Sequence, residues 1–133
     1  MEEITIRVEA EINPTEAEEK VKVAVAKLFG DMPTVTQPAY MGSVLIAEAK
    51  GQEPLETLRN LLRRDRIRNA ARKVLFAGIR GNMIGFFLNK QVAFAGHVSF
   101  SQEVAESPLG PIKVTIECEN PRELIDWLAP KTI

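Results

Sequence analysis

The sequence predicts a single α+β domain over residues 1–133, a largely antiparallel sheet of about five strands with its helices packed on one face. Three observations carry that prediction. Two segments alternate apolar and polar residues with a period of two, the helical segments show one apolar stripe, and an apolar stretch in the middle of the chain reads as a hairpin. The expected order is β-α-β-αα-β-β-β-α.

Ile4, Ile6, Val8, Ala10 and Ile12 alternate with Thr5, Arg7, Glu9 and Glu11, which describes a strand with one wet face. NPTEAEEKVKVAVAKLFGD follows as a helix. Thr15 and Glu18 stand at capping-box spacing, Ala17, Val21, Ala24, Val25 and Leu28 make one stripe, and Gly30 ends it. The proline-punctuated DMPTVTQP reads as a loop. SVLIAEAKG reads as a second strand, less regular in its alternation and so more buried.

EPLETLRNLLRRDRIRNAARKVLFAGIRGN has helical propensity, but its stripe changes side. At about 100° per residue, Leu55, Leu58, Leu61 and Leu62 lie nearly opposite Ile67, Ala70, Ala71 and Val74. One straight helix cannot bury both sets. Two helices or a marked kink are therefore expected, with the change of phase near Arg64 and Asp65 and with Asp65 capping the second helix. NMIGFFLNKQVAFAGHVSF reads as a hairpin of two apolar strands. A loop of Asn89, Lys90 and Gln91 puts Ile84, Phe86 and Leu88 on the same face as Val92, Phe94 and Val98. ESPLGPI, Glu106 to Ile112, describes a stiff turn. The last strand, IKVTIECE, buries Ile112, Val114, Ile116 and Cys118, and Asn120, Pro121 and Glu123 then start a helix that buries Leu124, Ile125 and Leu128. Glu9, Glu11, Glu117 and Glu119 fall on wet positions, so the open face of the sheet is expected to be acidic and to repel phosphate.

Composition narrows the function. At 45% hydrophobic and 26% charged residues, the chain has the profile of a folded globular domain and not of a disordered segment. One cysteine forms neither an internal disulfide nor a cysteine zinc site, which suits a cytoplasmic location. MEEITIRVEAEI lacks the basic flank and apolar run of a signal peptide, and the longest apolar run, Val74 to Ile79, is too short to cross a bilayer. No membrane partner is expected. His97, the one histidine, is read as a half-exposed strand residue with no acid placed to orient it, and Cys118 as a core thiol. Gly78 and Gly81 lack phosphate-loop spacing and read as helix-ending and strand-entry residues. Phe87 reads as a core residue and not as a base-stacking platform. No enzyme activity, cofactor or metal is expected.

RRDRIRNAARK, Arg63 to Lys73, carries five arginines and a lysine in a chain of net charge -1. From Lys50 to Arg80 there are nine basic and three acidic residues, a local balance of +6 against -7 for the remainder, so the chain is electrostatically split. Arginine's planar fork matches phosphate oxygens in pairs. The candidate phosphate-binding set is Arg63, Arg64, Arg66, Arg68, Arg72, Lys73 and Arg80, with Arg64, Arg68 and Arg72 within about 80° of one another along the second helix. The alternative is a surface ion-pair network, in which the arginines lie over acids such as Glu16, Glu18 and Glu19.

VEAEINPTEAEEKVKVAVAKLF, RNAARKVLFAGIRGN, FFLNKQVAFAGHVSF and ESPLGPI together resemble an uncharacterised family of small archaeal proteins, over most of the chain from Val8 to Ile116. The resemblance implies a fold grouped with the RNA-binding domain of ribosomal large-subunit protein five. It also implies a role on structured RNA with no established reaction and no active-site residue to carry over. The arginine helix and Arg80 are then the expected contact surface. A homo-oligomer or a protein-interaction module with complementary acidic and basic faces is the competing expectation.

Overall fold

The computed structural model describes residues 3–101 and 110–132. Among them the elements are β1 (Thr5–Ile12), α1 (Glu18–Phe29), β2 (Thr34–Pro38), β3 (Ser43–Lys50), α2 (Glu53–Arg64), α3 (Arg68–Ala77), β4 (Ile79–Arg80), β5 (Met83–Asn89), α4 (Lys90–Phe94), β6 (Phe100–Ser101), β7 (Pro111–Glu117) and α5 (Pro121–Leu128). The fold is α+β, and its one antiparallel sheet runs β2-β3-β1-β7-β5-β4, with β6 paired to β5 off that path. The expected turn over Glu106–Ile112 lies outside the described residues as far as residue 109.

Alternation sets the core. Ile6, Val8 and Ala10 of β1 face Ala49, Ala47 and Leu45 of β3 on one side, and Ile116, Val114 and Ile112 of β7 on the other. Ile84, Phe86 and Leu88 of β5 continue the same face. The helices close over it with Val21, Ala24, Val25, Leu28 and Phe29 of α1, the leucines of α2, Ala71 and Leu75 of α3, and Leu124, Ile125 and Leu128 of α5, all in one cluster. Asn120 caps α5 as expected, its side-chain oxygen accepting from the Glu123 N–H at 3.2 Å.

The seven strands exceed the expected five because two are invisible to patterning. β2, expected as a loop, is an edge strand paired to β3 with every residue exposed, so no face-to-face alternation marks it. The expected hairpin return is a helix. Asn89 accepts from the Val92 N–H at 2.9 Å and caps α4, and the chain rejoins β5 at Ser99, whose carbonyl accepts from the Asn89 N–H at 2.8 Å, and pairs with it as a strand at Phe100 and Ser101. A tighter hairpin stands just before, where Ile79 and Arg80 pair with Ile84 and Met83 around Gly81 (φ 62°) and Asn82.

Two expected caps do not form. No side chain caps α1; Glu16 instead turns back to the N–H and side-chain amide of Asn13, both at 2.9 Å. Nor does Asp65 cap α3. The open sheet face is mixed rather than acidic: Arg7 pairs with Glu9 at 2.8 Å and with Glu48, and Lys113 stands opposite Glu9.

Candidate nucleic-acid interface

The α2–α3 corner forms where the two apolar stripes change side. Asp65 N–H donates to Leu61 O at 2.9 Å, Arg66 N–H to Arg63 O at 3.2 Å and Ile67 N–H to Leu62 O at 3.1 Å, a tight wrap that ends α2. Arg66 takes φ 57°, and it is the one non-glycine residue at positive φ among the described residues. Glycine is the usual occupant of such a position after a helix; a side chain there costs about 1–2 kcal/mol. The reversal lets Leu55, Leu58, Leu61 and Leu62 face the core from α2 while Ala71 and Leu75 do so from α3. Ile67 and Val74 are half-buried and Ala70 is exposed, so the second stripe is rotated from its expected phase.

Asp65 secures the corner to the segment after α4. Its carboxylate accepts from the Val98 N–H at 3.1 Å and from Arg64 Nε at 3.1 Å, and lies 3.3 Å from His97 Nδ1. Burial pushes this carboxyl up, but the bonds from Val98, His97 and Arg64 outweigh burial and hold it below the ordinary aspartate value. His97 therefore sits in a loop against the corner, and not in a strand.

The structure divides the seven candidate cations. Arg64 donates to Gly96 O as well as to Asp65, so it fastens the loop. Arg72 pairs with Asp126 at 2.7 Å, donates to Ala129 O at 3.3 Å and lies 4.8 Å from the Phe76 ring, with only 24% of its side chain exposed. It ties α3 to α5. Arg80 donates to Ala77 O and Ile79 O at the far end of α3, about 15 Å of helix away. Its surroundings there include Glu3, Glu117 and Glu119, and it is not part of the corner. Arg63, Arg66, Arg68 and Lys73 remain. None of the four has an acidic partner among the described residues, and Arg63 reaches only Asn60, at 3.4 Å.

Arg63, Arg66 and Arg68, with Asn69 and Thr132, line a shallow hollow of about 180 Å³. Thr132 N–H donates to Asn69 Oδ1 at 3.3 Å, which folds the C-terminal segment beside α3 and brings the exposed Lys131 to the rim. Lys73 follows Asn69 by one turn on the same helix face. Sequence reasoning missed Asn69, Lys131 and Thr132, because no local pattern places the segment after α5 against α3.

The network expected as the alternative has other members. Glu18 and Glu19 pair with Lys22 at 3.3 and 3.8 Å, and Glu16 pairs with Lys90. The acids that hold arginines at this end are Asp65 and Asp126. Among the described residues no helix is long and apolar enough to cross a membrane.

Comparison with known proteins places these features in a family. A family model described as RNA binding matches residues 5–118. A UPF0201 protein of Sulfurisphaera tokodaii is 45% identical over 127 residues, covering 96% of this chain and 88% of that protein. Another, from Sulfolobus acidocaldarius, is 46% identical over 126 residues, covering 94% and 86%. Among solved structures, the UPF0201 protein of Methanococcus jannaschii matches with a TM-score of 0.85 at 31% identity, over 95% of this chain and 99% of that one.

Proposed function

The chain belongs to the UPF0201 family, and on that premise we propose that it binds RNA through phosphates held at the α2–α3 corner. Arg63, Arg66, Arg68 and Lys73 are the contacts, and no reaction is carried out on the RNA. The observation that carries this reading is three cations without an acidic partner around one hollow, one of them in strained backbone, with a fourth, Lys73, one turn of α3 beyond Asn69. The description of the matching family model, RNA binding, supports it.

The same geometry limits the affinity. With about four phosphate contacts, log affinity falls with log salt at a slope of about -3 to -4, and binding loses about a hundredfold between about 50 and 200 mM salt. The net charge of -1 gives no general attraction to add to this. Fluorescence anisotropy of a labelled structured RNA across that salt range tests the proposal. A slope near the stated value supports it, and no binding at the lowest salt rejects it.

A further inference from the structure

The two edges of the sheet are not alike. On the β5 side the outer strands β4 and β6 are two residues each, and β4 carries Arg80, features that discourage pairing with another chain. On the other side β2 offers TVTQP with every residue exposed, and from Thr34 to Ser43 there is no charged side chain.

Register identifies the unused backbone groups of β2. The Ala39 N–H donates to Gly42 O at 3.1 Å, so these two residues form a hydrogen-bonded pair at the turn. Alternation then directs the amides of Gln37 and Val35 to their β3 partners Val44 and Ile46. The N–H and C=O of Thr34 and Thr36 point away from the sheet. Pro38, next in that phase, has no N–H to leave unpaired.

The flanks of β2 complement each other. After the strand, Tyr40 is 100% exposed. Before it, Lys22, Val25, Ala26, Gly30, Asp31 and Met32 line most of a hollow of about 180 Å³ between α1 and the strand. Tyr40 stands as far after Val35 as Gly30 stands before it. When two copies of β2 run antiparallel with Val35 facing Val35, the turn that carries Tyr40 in each copy lies toward the end of the other's strand where Gly30, Asp31 and Met32 line the hollow.

We propose that the protein forms a two-fold dimer with a second copy of itself through β2, Tyr40 of each copy filling the hollow between α1 and β2 of the other. Thr34 and Thr36 exchange N–H···O=C bonds across the axis. Val35, exposed on the open sheet face beside Ile46, meets its counterpart. A two-fold axis sets each group near its own copy, so a charge-free segment avoids self-repulsion. In the hollow the Tyr40 hydroxyl finds Asp31 as an acceptor. A five-residue pairing alone is short of the roughly 1,200 Å² of a stable interface, so the tyrosine is the deciding contact. A different strand partner would need to bring its own side chain for the hollow; a second copy already carries an exposed tyrosine just beyond the paired strand.

Sedimentation equilibrium of the full chain from about 1 to 200 μM tests this. A dimer is expected, weakened about tenfold or more by Tyr40→Ala and by Thr36→Pro, which removes an outward N–H and no bond to β3. Val35→Cys should give a disulfide-linked dimer in air without denaturant, because facing residues in a non-hydrogen-bonded pair are close enough to bridge. A monomer at the highest concentration overturns the proposal. So does a dimer that neither substitution weakens, or a Val35→Cys chain that does not cross-link.

Discussion

Lys90 Nζ lies 2.9 Å from Glu16 Oε1, with 5% and 13% of the two side chains exposed. The same ammonium donates to Glu11 O at 2.6 Å, and the carboxylate also accepts from Asn13. This buried pair joins the start of α4 to the turn between β1 and α1. It anchors the first residue of α4 at the point where the chain leaves the sheet after β5.

Removing one member leaves the other charge without its partner in a largely buried site. Lys90→Met should cost about 3 kcal/mol, while the double variant Lys90→Met/Glu16→Gln should cost less than the two single changes added. Urea denaturation checks both. The acid behaviour has a definite sign. Burial pushes Glu16 up, but hydrogen bonds from the Asn13 backbone, Lys90 and the Asn13 side chain outweigh it and hold the folded value below the ordinary 4.5. A group depressed in this way stabilises the fold above pH 4.5 and loses that contribution as pH falls through its folded value. Wild type should therefore weaken steeply in that acid range, and the Lys90→Met chain less steeply.

Asp65 should behave similarly on a smaller scale. Asp65→Ala leaves the half-buried Val98 N–H without an acceptor and should cost about 1–3 kcal/mol. Asp65→Asn keeps an acceptor for Val98 but loses the charge that faces Arg64, so it should fall between wild type and the alanine variant. Thermal melts at neutral pH order the three. Equal stability of all three would mean that the carboxylate does not hold the corner.

What could be read in the sequence follows from where its causes lie. β1 and β7 were legible because burial of one face forces period two, and the α2–α3 break because its stripes are out of phase. β2 was not, since a fully exposed edge strand has no pattern and owes its form to hydrogen bonds with β3. Lys90 was read as a turn residue because its partner Glu16 is 74 residues away. The arginine cluster was legible as a cluster, but not its division into arginines held by acids and arginines without an acidic partner among the described residues. Arg72 is withdrawn by Asp126 and by Ala129, 57 residues on, and neither is visible from its own helix.

That division predicts opposite phenotypes within one helix pair. Arg63→Glu/Arg66→Glu/Arg68→Glu should flatten the salt slope of RNA binding by about 2 to 3 units. Exposed charges contribute about 0 to 1 kcal/mol each, so its melting temperature should change little. Arg72→Ala should lower stability by about 1–3 kcal/mol through the loss of Asp126, Ala129 and Phe76 contacts, and leave the salt slope alone. Reversal of the two outcomes would show that the phosphate contacts had been assigned to the wrong arginines.

Arg66 allows strain and contact to be separated at one residue. Its φ of 57° suits glycine, so Arg66→Gly should relieve about 1 kcal/mol of backbone strain and raise the melting temperature by about 3 °C. Arg66→Ala keeps a Cβ in the same backbone and should bring no such gain. Both remove the guanidinium, and both should reduce the RNA salt slope by a little under one unit. A gain in stability restricted to the glycine variant, with equal losses in binding, would show that the strained backbone is kept for the side chain it presents. If the two variants are equally stable, the left-handed residue carries no strain. If neither loses RNA affinity, Arg66 is not a contact and the interface must be redrawn around Arg63 and Arg68.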